Sequence, residues 1–220
     1  MTRRRRLLAT LLVAVLALLV LVWARTLSGD EAPPYAVALE LVPVTVTTWG
    51  EWRAAHPDST VTKLDPSFGE KWGYDYRPGA ADRRREGVSF PVWPKSNALP
   101  AKEEIYGLRL GARAKAWRIA RLLRERIVQD RLGDVDLLLV GDPESGAVRA
   151  FRRDGRTFRA GATPGELRES SGRAWKITEE ALVPTTADGE SATPLPRVPG
   201  VVAFWFGWYG FYPETEVWDG

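Results

Sequence analysis

The chain has 220 residues, of which 45% are hydrophobic and 10% aromatic, so it is long and apolar enough to form a folded domain with a sizeable core. It contains no cysteine and a single histidine, His56, which excludes disulfides, thiolate nucleophiles, a Ser-His-Asp triad and a metal site with two histidine ligands. Five of its 31 basic residues lie in the first 26 positions, and the remaining 26 basic and 28 acidic residues provide no global electrostatic attraction for nucleic acid.

An uncharged apolar segment, Leu7–Ala24, follows four arginines near the N-terminus. As a helix its residues would extend about 27 Å, close to the ~30 Å hydrocarbon core of a bilayer. Because basic residues tend to stay in the cytoplasm, we expect an uncleaved transmembrane anchor with the C-terminus outside the cytoplasm. A cleaved secretory signal is the alternative, but such signals end in small residues, whereas Trp23 and Arg25 lie at this border.

Residues 1–26 are therefore predicted to be a membrane anchor, residues 27–35 a polar linker, and residues 36–220 one extracytoplasmic globular domain. The apolar alternation of residues 36–46 predicts a strand. Thr48 and Glu51 then form a capping box, which predicts a helix at Trp49–Ala55.

A second strand is predicted near Ser59–Lys63. The following forty residues, Leu64–Glu103, lack clear periodicity, which favours a packed surface excursion over a binding loop. Further along, the sequence predicts a strand pair that turns at Gly111 and an amphipathic helix at Arg118–Leu132 with arginines on one face. That face is more typical of a solvated surface than of a site for phosphate or acidic partners.

Apolar runs separated by tight turns predict several strands in the second half of the chain. The turns fall at Asp142–Gly146 and Arg153–Gly155, and residues 172–183 form one more strand or a strand pair. Because short turns join antiparallel neighbours, the predicted fold class is α+β, mainly antiparallel β-sheet with a few short helices, preceded by the transmembrane helix.

The chain contains an internal repeat: residues 41–61 align without gaps with residues 197–217. At a constant offset of 156 residues, the identical pairs include Trp49 and Trp205, Trp52 and Trp208, and Pro57 and Pro213. The helix that the capping box predicts in the first copy is therefore also expected in the second, at Trp205–Phe211.

The second copy is apolar on all sides, which predicts a buried core helix. Trp205, Trp208 and Tyr212 would form its packing face, and Gly207 and Gly210 would allow a neighbouring element to approach closely. The alternative is an aromatic surface that contacts a membrane or a ligand and includes Trp49 and Trp52.

The polar turn Asp142, Glu144 and Ser145 is the weak second candidate site. Its carboxylates could bind a hard cation such as calcium, although the backbone geometry of a turn explains these residues better. The sequence contains no phosphate-binding loop and singles out no catalytic residue, so we predict neither a cofactor nor a metal site.

Taken together, these segments resemble a bacterial and archaeal family known as domain of unknown function 3179 (DUF3179). The resemblance covers about Ala36–Val217 and includes the repeat, "LPAKEEIYGLRLG", "AKAWRIARLLRERIVQD" and "SGAVRAF" with "DGRTF". It implies two related units in tandem, of which this chain keeps the tail of the first and one whole second unit from about Glu103.

Many members of that family carry a Cys-Pro-x-Cys-Gly segment and a helix histidine, which suggests metal or redox chemistry. Here Asp142 and Ser145 occupy the cysteine positions and Glu125 the histidine position, so this chain lacks the soft ligands. We therefore expect a non-catalytic module that binds a protein partner or a small ligand. The alternative is an enzyme, or the remnant of one, without the family's ligands.

Overall fold

A computed structural model describes residues 41–62, 88, 91–185 and 192–220. The predicted anchor and linker lie outside this part of the chain, and no described helix is long and apolar enough to cross a bilayer. The described residues from Val42 onward belong to one compact unit. The described helices, α1 to α3, span Trp49–Ala55, Ile119–Glu125 and Trp205–Phe211. The described strands, β1 to β12, span Glu104–Leu110, Arg113–Arg118, Ile127–Leu132, Val135–Gly141, Val148–Arg152, Phe158–Ala160, Glu166–Glu169, Ala174–Ile177, Ala181–Pro184, Leu195–Pro196, Gly200–Phe204 and Glu216–Val217.

The first sheet is built around the β1–β2 hairpin, in the order β11-β1-β2-β12. The hairpin turns at Gly111, as predicted, where φ is +59°, a conformation that glycine adopts without steric cost. β11 pairs with β1, and β12 pairs with β2 on the opposite edge. Because α3 joins β11 to β12, it has to cross one face of the hairpin.

Two further sheets contain the other strands, in the orders β3-β4-β5 and β10-β9-β8-β7-β6. The predicted turn at Asp142–Gly146 joins β4 to β5, and residues 172–183 supply the strand pair β8 and β9. Every strand pair among the described residues is antiparallel except β12 with β2. The prediction of a mainly antiparallel α+β fold is therefore confirmed.

The predicted helix at Arg118–Leu132 is wrong beyond Glu125. Arg126 has a positive φ of 64°, which ends α2, and the chain continues as β3. Residues in β3 alternate between buried and exposed positions and pair with β4, so they are held by a sheet that the helical pattern did not reveal. The predicted arginine face is consequently divided between a helix and a strand.

The strands predicted at residues 36–46 and Ser59–Lys63 are also wrong wherever the structure describes them. Residues 41–48 and 59–62 form no strand, and the rest of both segments lies outside the described residues. The equivalent segments of the second copy, β11 and β12, are strands because the hairpin pairs with both. Strand-forming residues alone do not make a strand without a partner for the backbone.

Candidate functional site

The aromatic helix α3 packs on the β1–β2 hairpin through one face. Trp205 and Trp208 are 1% and 5% exposed, and they form a cluster with Leu99, Ile105 and two alanines of β2. Phe211, on another face, is 82% exposed. The expectation that α3 is buried on every side is therefore wrong, because a helix lying across a sheet presents only one face to it.

The close approach at α3 involves a glycine of the hairpin and not the glycines of the helix. A Cβ atom added to Gly107 of β1 would lie 2.6 Å from the Trp208 ring, so only glycine fits beneath this indole. A Cβ atom at Gly207 or Gly210 would meet open space. The predicted role of these two glycines is wrong.

The two copies of the repeat have the same local structure. Both helices contain seven residues at the predicted bounds. The residue that caps the C-terminal end has a φ of −131° in both, with a ψ of 72° at His56 after α1 and 73° at Tyr212 after α3. In each copy the second tryptophan packs against this end residue, with ring centroids 4.1 Å apart for Trp52 and 4.5 Å apart for Trp208.

The tryptophan hydrogen bonds are also repeated. Trp52 donates from Nε1 to Ser59 Oγ at 3.0 Å, and Trp208 donates from Nε1 to Thr215 Oγ1 at 2.9 Å. The environments differ, however, since Trp52 is 41% exposed and Trp49 is 52% exposed. The sequence repeat thus encodes one helix-turn structure that is covered in the second copy and open in the first.

A pocket of about 530 Å³ lies beside α3. Its walls come from the irregular segment 92–101, which belongs to the predicted surface excursion, and from residues in the first half of α3. The lining side chains include Val92, Pro94, Lys95, Ser96, Asn97, Leu99, Pro100, Trp205, Phe206 and Tyr209. Concave, mainly apolar surfaces with a few polar groups are typical of small-molecule sites.

One polar group in the pocket wall has no partner of its own. Trp205 is almost completely buried, and its Nε1 has no hydrogen-bond partner in the described part of the chain. A buried N–H without an acceptor costs roughly 1–3 kcal/mol.

A partly buried network of two arginines and one carboxylate holds the first copy against the sheets. Arg197 donates from Nη1 to Glu179 Oε2 and to Thr45 Oγ1, both at 3.0 Å, and from Nη2 to the carbonyl of Val44 at 3.0 Å. Arg149 donates to the other oxygen of Glu179 at 2.6 Å. Burial by itself would raise the pKa of Glu179, but the hydrogen bonds and charges of these partners outweigh it and lower that pKa.

Tyr106 lies near this network. Its hydroxyl is buried and has no hydrogen-bond partner among the described residues. Burial raises the pKa of Tyr106, an effect that the positive charge of Arg197 partly opposes. A Cβ atom on Gly200 would collide with the Tyr106 ring, so position 200 of the neighbouring strand β11 accommodates only glycine. The neutral phenol is therefore enclosed by the fold.

The predicted polar turn satisfies its own hydrogen-bonding groups. Asp142 accepts from the backbone N–H of Glu144 at 3.0 Å and from the hydroxyl of Ser145. Its partial burial would raise the pKa of Asp142, but these hydrogen bonds lower it. Nowhere in the described residues do three carboxylate or histidine side chains lie close enough to hold a metal ion.

Sequence reasoning missed the pocket and the arginine network. The pocket depends on the aperiodic segment 92–101, and Arg197 and Glu179 are 18 residues apart in a stretch read as strand and loop. The one available signal was in the repeat, where the second copy begins with Arg197 and the first begins with Leu41. This difference marks a position where the two copies face different surroundings.

The comparisons with known proteins identify a family but no function. Residues 21–215 match the family described as "Protein of unknown function (DUF3179)". No match to the chain was found among curated proteins or among solved structures. The matched range contains the whole first copy of the repeat, the hairpin and α3, and it spans most of the sequence. The chain therefore belongs to the DUF3179 family.

Proposed function

We propose that this protein is a membrane-anchored extracytoplasmic binding module that holds a small ligand in the pocket between residues 92–101 and α3. The observation that carries the proposal is the pocket itself, whose lining combines the half-buried aromatic side chains of Phe206 and Tyr209 with the exposed Lys95. A binding role fits the site better than catalysis because the arginines, Glu179 and Asp142 are already engaged with one another or with the backbone.

The lining indicates what kind of ligand would bind. Phe206 and Tyr209, which are half-buried, provide aromatic surface, and Lys95 provides a positive charge at the exposed side. A flat apolar molecule with a carboxylate or another acceptor would match both features, because it could pack on the aromatic side chains and accept hydrogen bonds. We therefore propose a small aromatic anion as the ligand class.

The proposed location rests on the sequence. Leu7–Ala24 follows an arginine run and has the length of a membrane span, so we propose that it anchors the chain with residues 36–220 outside the cytoplasm. A ligand for the pocket would then come from the extracytoplasmic side.

The experiment measures binding of indole-3-acetate to the full chain in lipid nanodiscs by equilibrium dialysis, with empty nanodiscs as the blank. Ala98→Phe places a ring in the pocket and should abolish saturable binding. Ala162→Phe, on an exposed loop away from the pocket, is the matched control and should bind like the wild type. Equal binding by all three proteins would refute the proposed site.

A second pair of variants tests the charge. Lys95→Met should weaken binding of the carboxylate probe about fivefold while leaving uncharged 3-methylindole unaffected, as expected for a partly exposed charge worth roughly 1 kcal/mol. Lys176→Met, also exposed but on β8, is the control. A stoichiometric transition metal in the purified protein would instead favour the enzyme alternative.

A further inference from the structure

The second copy of the repeat shows what its helix-turn structure packs against. The β1–β2 hairpin lies between β11 and β12 and pairs with both. Its Gly107 lies beneath the Trp208 ring. The carbonyls of Glu103 and Ala101, just before β1, accept hydrogen bonds from the backbone N–H groups of Trp205 and Phe206, both at 2.9 Å. The hairpin thus pairs with two strands and packs against the face of the Trp208 indole. The segment just before it accepts hydrogen bonds from the first turn of α3.

The first copy has the same set of groups without that cover. By the offset of 156 residues, residues 44–48 correspond to β11 and residues 60–61 to β12, and neither segment is a strand. Val46 and Val61, which lie in these segments, are 58% and 69% exposed. Trp49 and Trp52 are also half exposed, although their equivalents are buried.

The first turn of α1 shows the same deficit. Trp49 and Gly50 are the equivalents of Trp205 and Phe206, whose N–H groups donate to the segment before β1. Within the described residues, no such bond is made by Trp49 or Gly50. We define the first-copy face as Val46, Trp49, Trp52 and Val61 together with these two backbone N–H groups.

We propose that the first-copy face docks a β-hairpin of a partner protein, which adds two strands between residues 44–48 and residues 60–61. The β1–β2 hairpin gives the chemistry of this partner. In the second copy Gly107 lies against Trp208, and the small or apolar side chains of Ile105, Ala114 and Ala116 pack with the tryptophans of α3. The partner hairpin should therefore present a glycine to Trp52 and small or apolar side chains to α1, with carbonyls ahead of its first strand that accept from the start of the helix.

The observations favour a partner protein over the other occupants. A second copy of this chain would have to offer its own β1–β2 hairpin, but β11 and β12 already occupy both edges of that hairpin. The sequence of residues 63–87 contains one short alternating aromatic run, at Trp72, Tyr74 and Tyr76, whereas a hairpin needs two strands with a shared apolar face. Both occupants remain distinguishable by experiment.

The test uses a fluorescent, backbone-cyclised peptide with the sequence of residues 101–118, because an isolated hairpin is only marginally stable. Its binding to the full chain in nanodiscs is measured by fluorescence anisotropy. We expect saturable binding that Trp52→Ala weakens about thirtyfold, the typical effect of truncating a central interface tryptophan. Trp93→Ala is the matched control, because Trp93 is 87% exposed and lies outside the first-copy face.

The peptide provides an independent control. A cyclic peptide with leucine in place of the glycine equivalent to Gly107 should not bind, since its side chain would collide with the Trp52 ring. Binding that is insensitive to both Trp52→Ala and the glycine replacement would overturn the proposal. Failure to bind the peptide would also overturn the proposal, and two measurements identify the reason. Dimerisation that depends on Trp52 would show that a second copy of the chain covers the first-copy face. Protection of Trp52 from acrylamide quenching in the monomer would show that another segment of the same chain covers it.

Discussion

Replacing Trp208 by Ala should destabilise the domain by about 3–5 kcal/mol, the usual cost of truncating a large buried aromatic side chain. The structure supports the full range, because the indole is 5% exposed, packs on Gly107 and donates a hydrogen bond to Thr215. For a domain of this size, about 2–4 °C of midpoint is lost per kcal/mol, so the midpoint should fall by about 6–20 °C. Circular dichroism of residues 30–220 during heating measures this.

The repeat supplies the matched control for that experiment. Trp52→Ala removes the equivalent side chain with the equivalent hydrogen bond, but this indole is 41% exposed and should cost no more than about 1 kcal/mol. The reasoning predicts a large difference between the two variants. It is refuted by an unchanged midpoint for Trp208→Ala, or by equal losses in both proteins.

Four more outcomes are expected. Gly107→Ala should lower the free energy of unfolding by about 1–3 kcal/mol, because the added methyl group overpacks against the Trp208 indole. Gly207→Ala should instead raise it by roughly 0.5–1 kcal/mol, because its Cβ meets open space. Urea unfolding measures both changes. Glu179→Gln should lower stability by about 1 kcal/mol at pH 7, because the Glu179 side chain is 35% exposed and solvent weakens its bonds to the arginines. Since folding lowers the pKa of Glu179, its contribution is present at neutral pH and is lost as the pH falls through the folded-state pKa, so the stability difference between the variant and the wild type should shrink as the solution is acidified below the ordinary range of a glutamate. A reporter fused to the C-terminus should be active only outside the cytoplasm if Leu7–Ala24 is the anchor.

Local signals made much of the fold predictable. The capping box at Thr48 and the repeat together gave the bounds of α1 and α3, and glycine-containing turns gave the hairpins. Each of these signals acts over a few residues. The error at Arg118–Leu132 arose because the same apolar positions suit a helix and a strand, and only pairing with β4 decides between them.

The candidate site was less predictable because it depends on contacts between distant segments. The pocket forms where the aperiodic residues 92–101 meet α3, more than a hundred positions later. Arg197 meets Thr45 across 152 residues. Periodicity and spacing carry no information about such encounters. The sequence singled out the aromatic residues, but their partners in the structure, Gly107 and Leu99, carry no chemical signal of their own in the sequence.

The two copies of the repeat form the same helix, but different interactions stabilise it in each copy. α1 buries none of its residues, and a seven-residue helix is too short to be stable by itself. Its stability has several sources. Thr48 accepts from the N–H of Glu51 at the first turn, and Arg53 lies in the last turn, where a positive charge is favourable. Arg197 also holds the preceding residues Val44 and Thr45 against the sheets. α3 has no side-chain cap and no charge in either terminal turn, and buries two tryptophans instead. Because α1 forms without burying its residues, its tryptophans are held in position while they remain exposed. A partner that binds them therefore avoids the entropic cost of ordering these side chains.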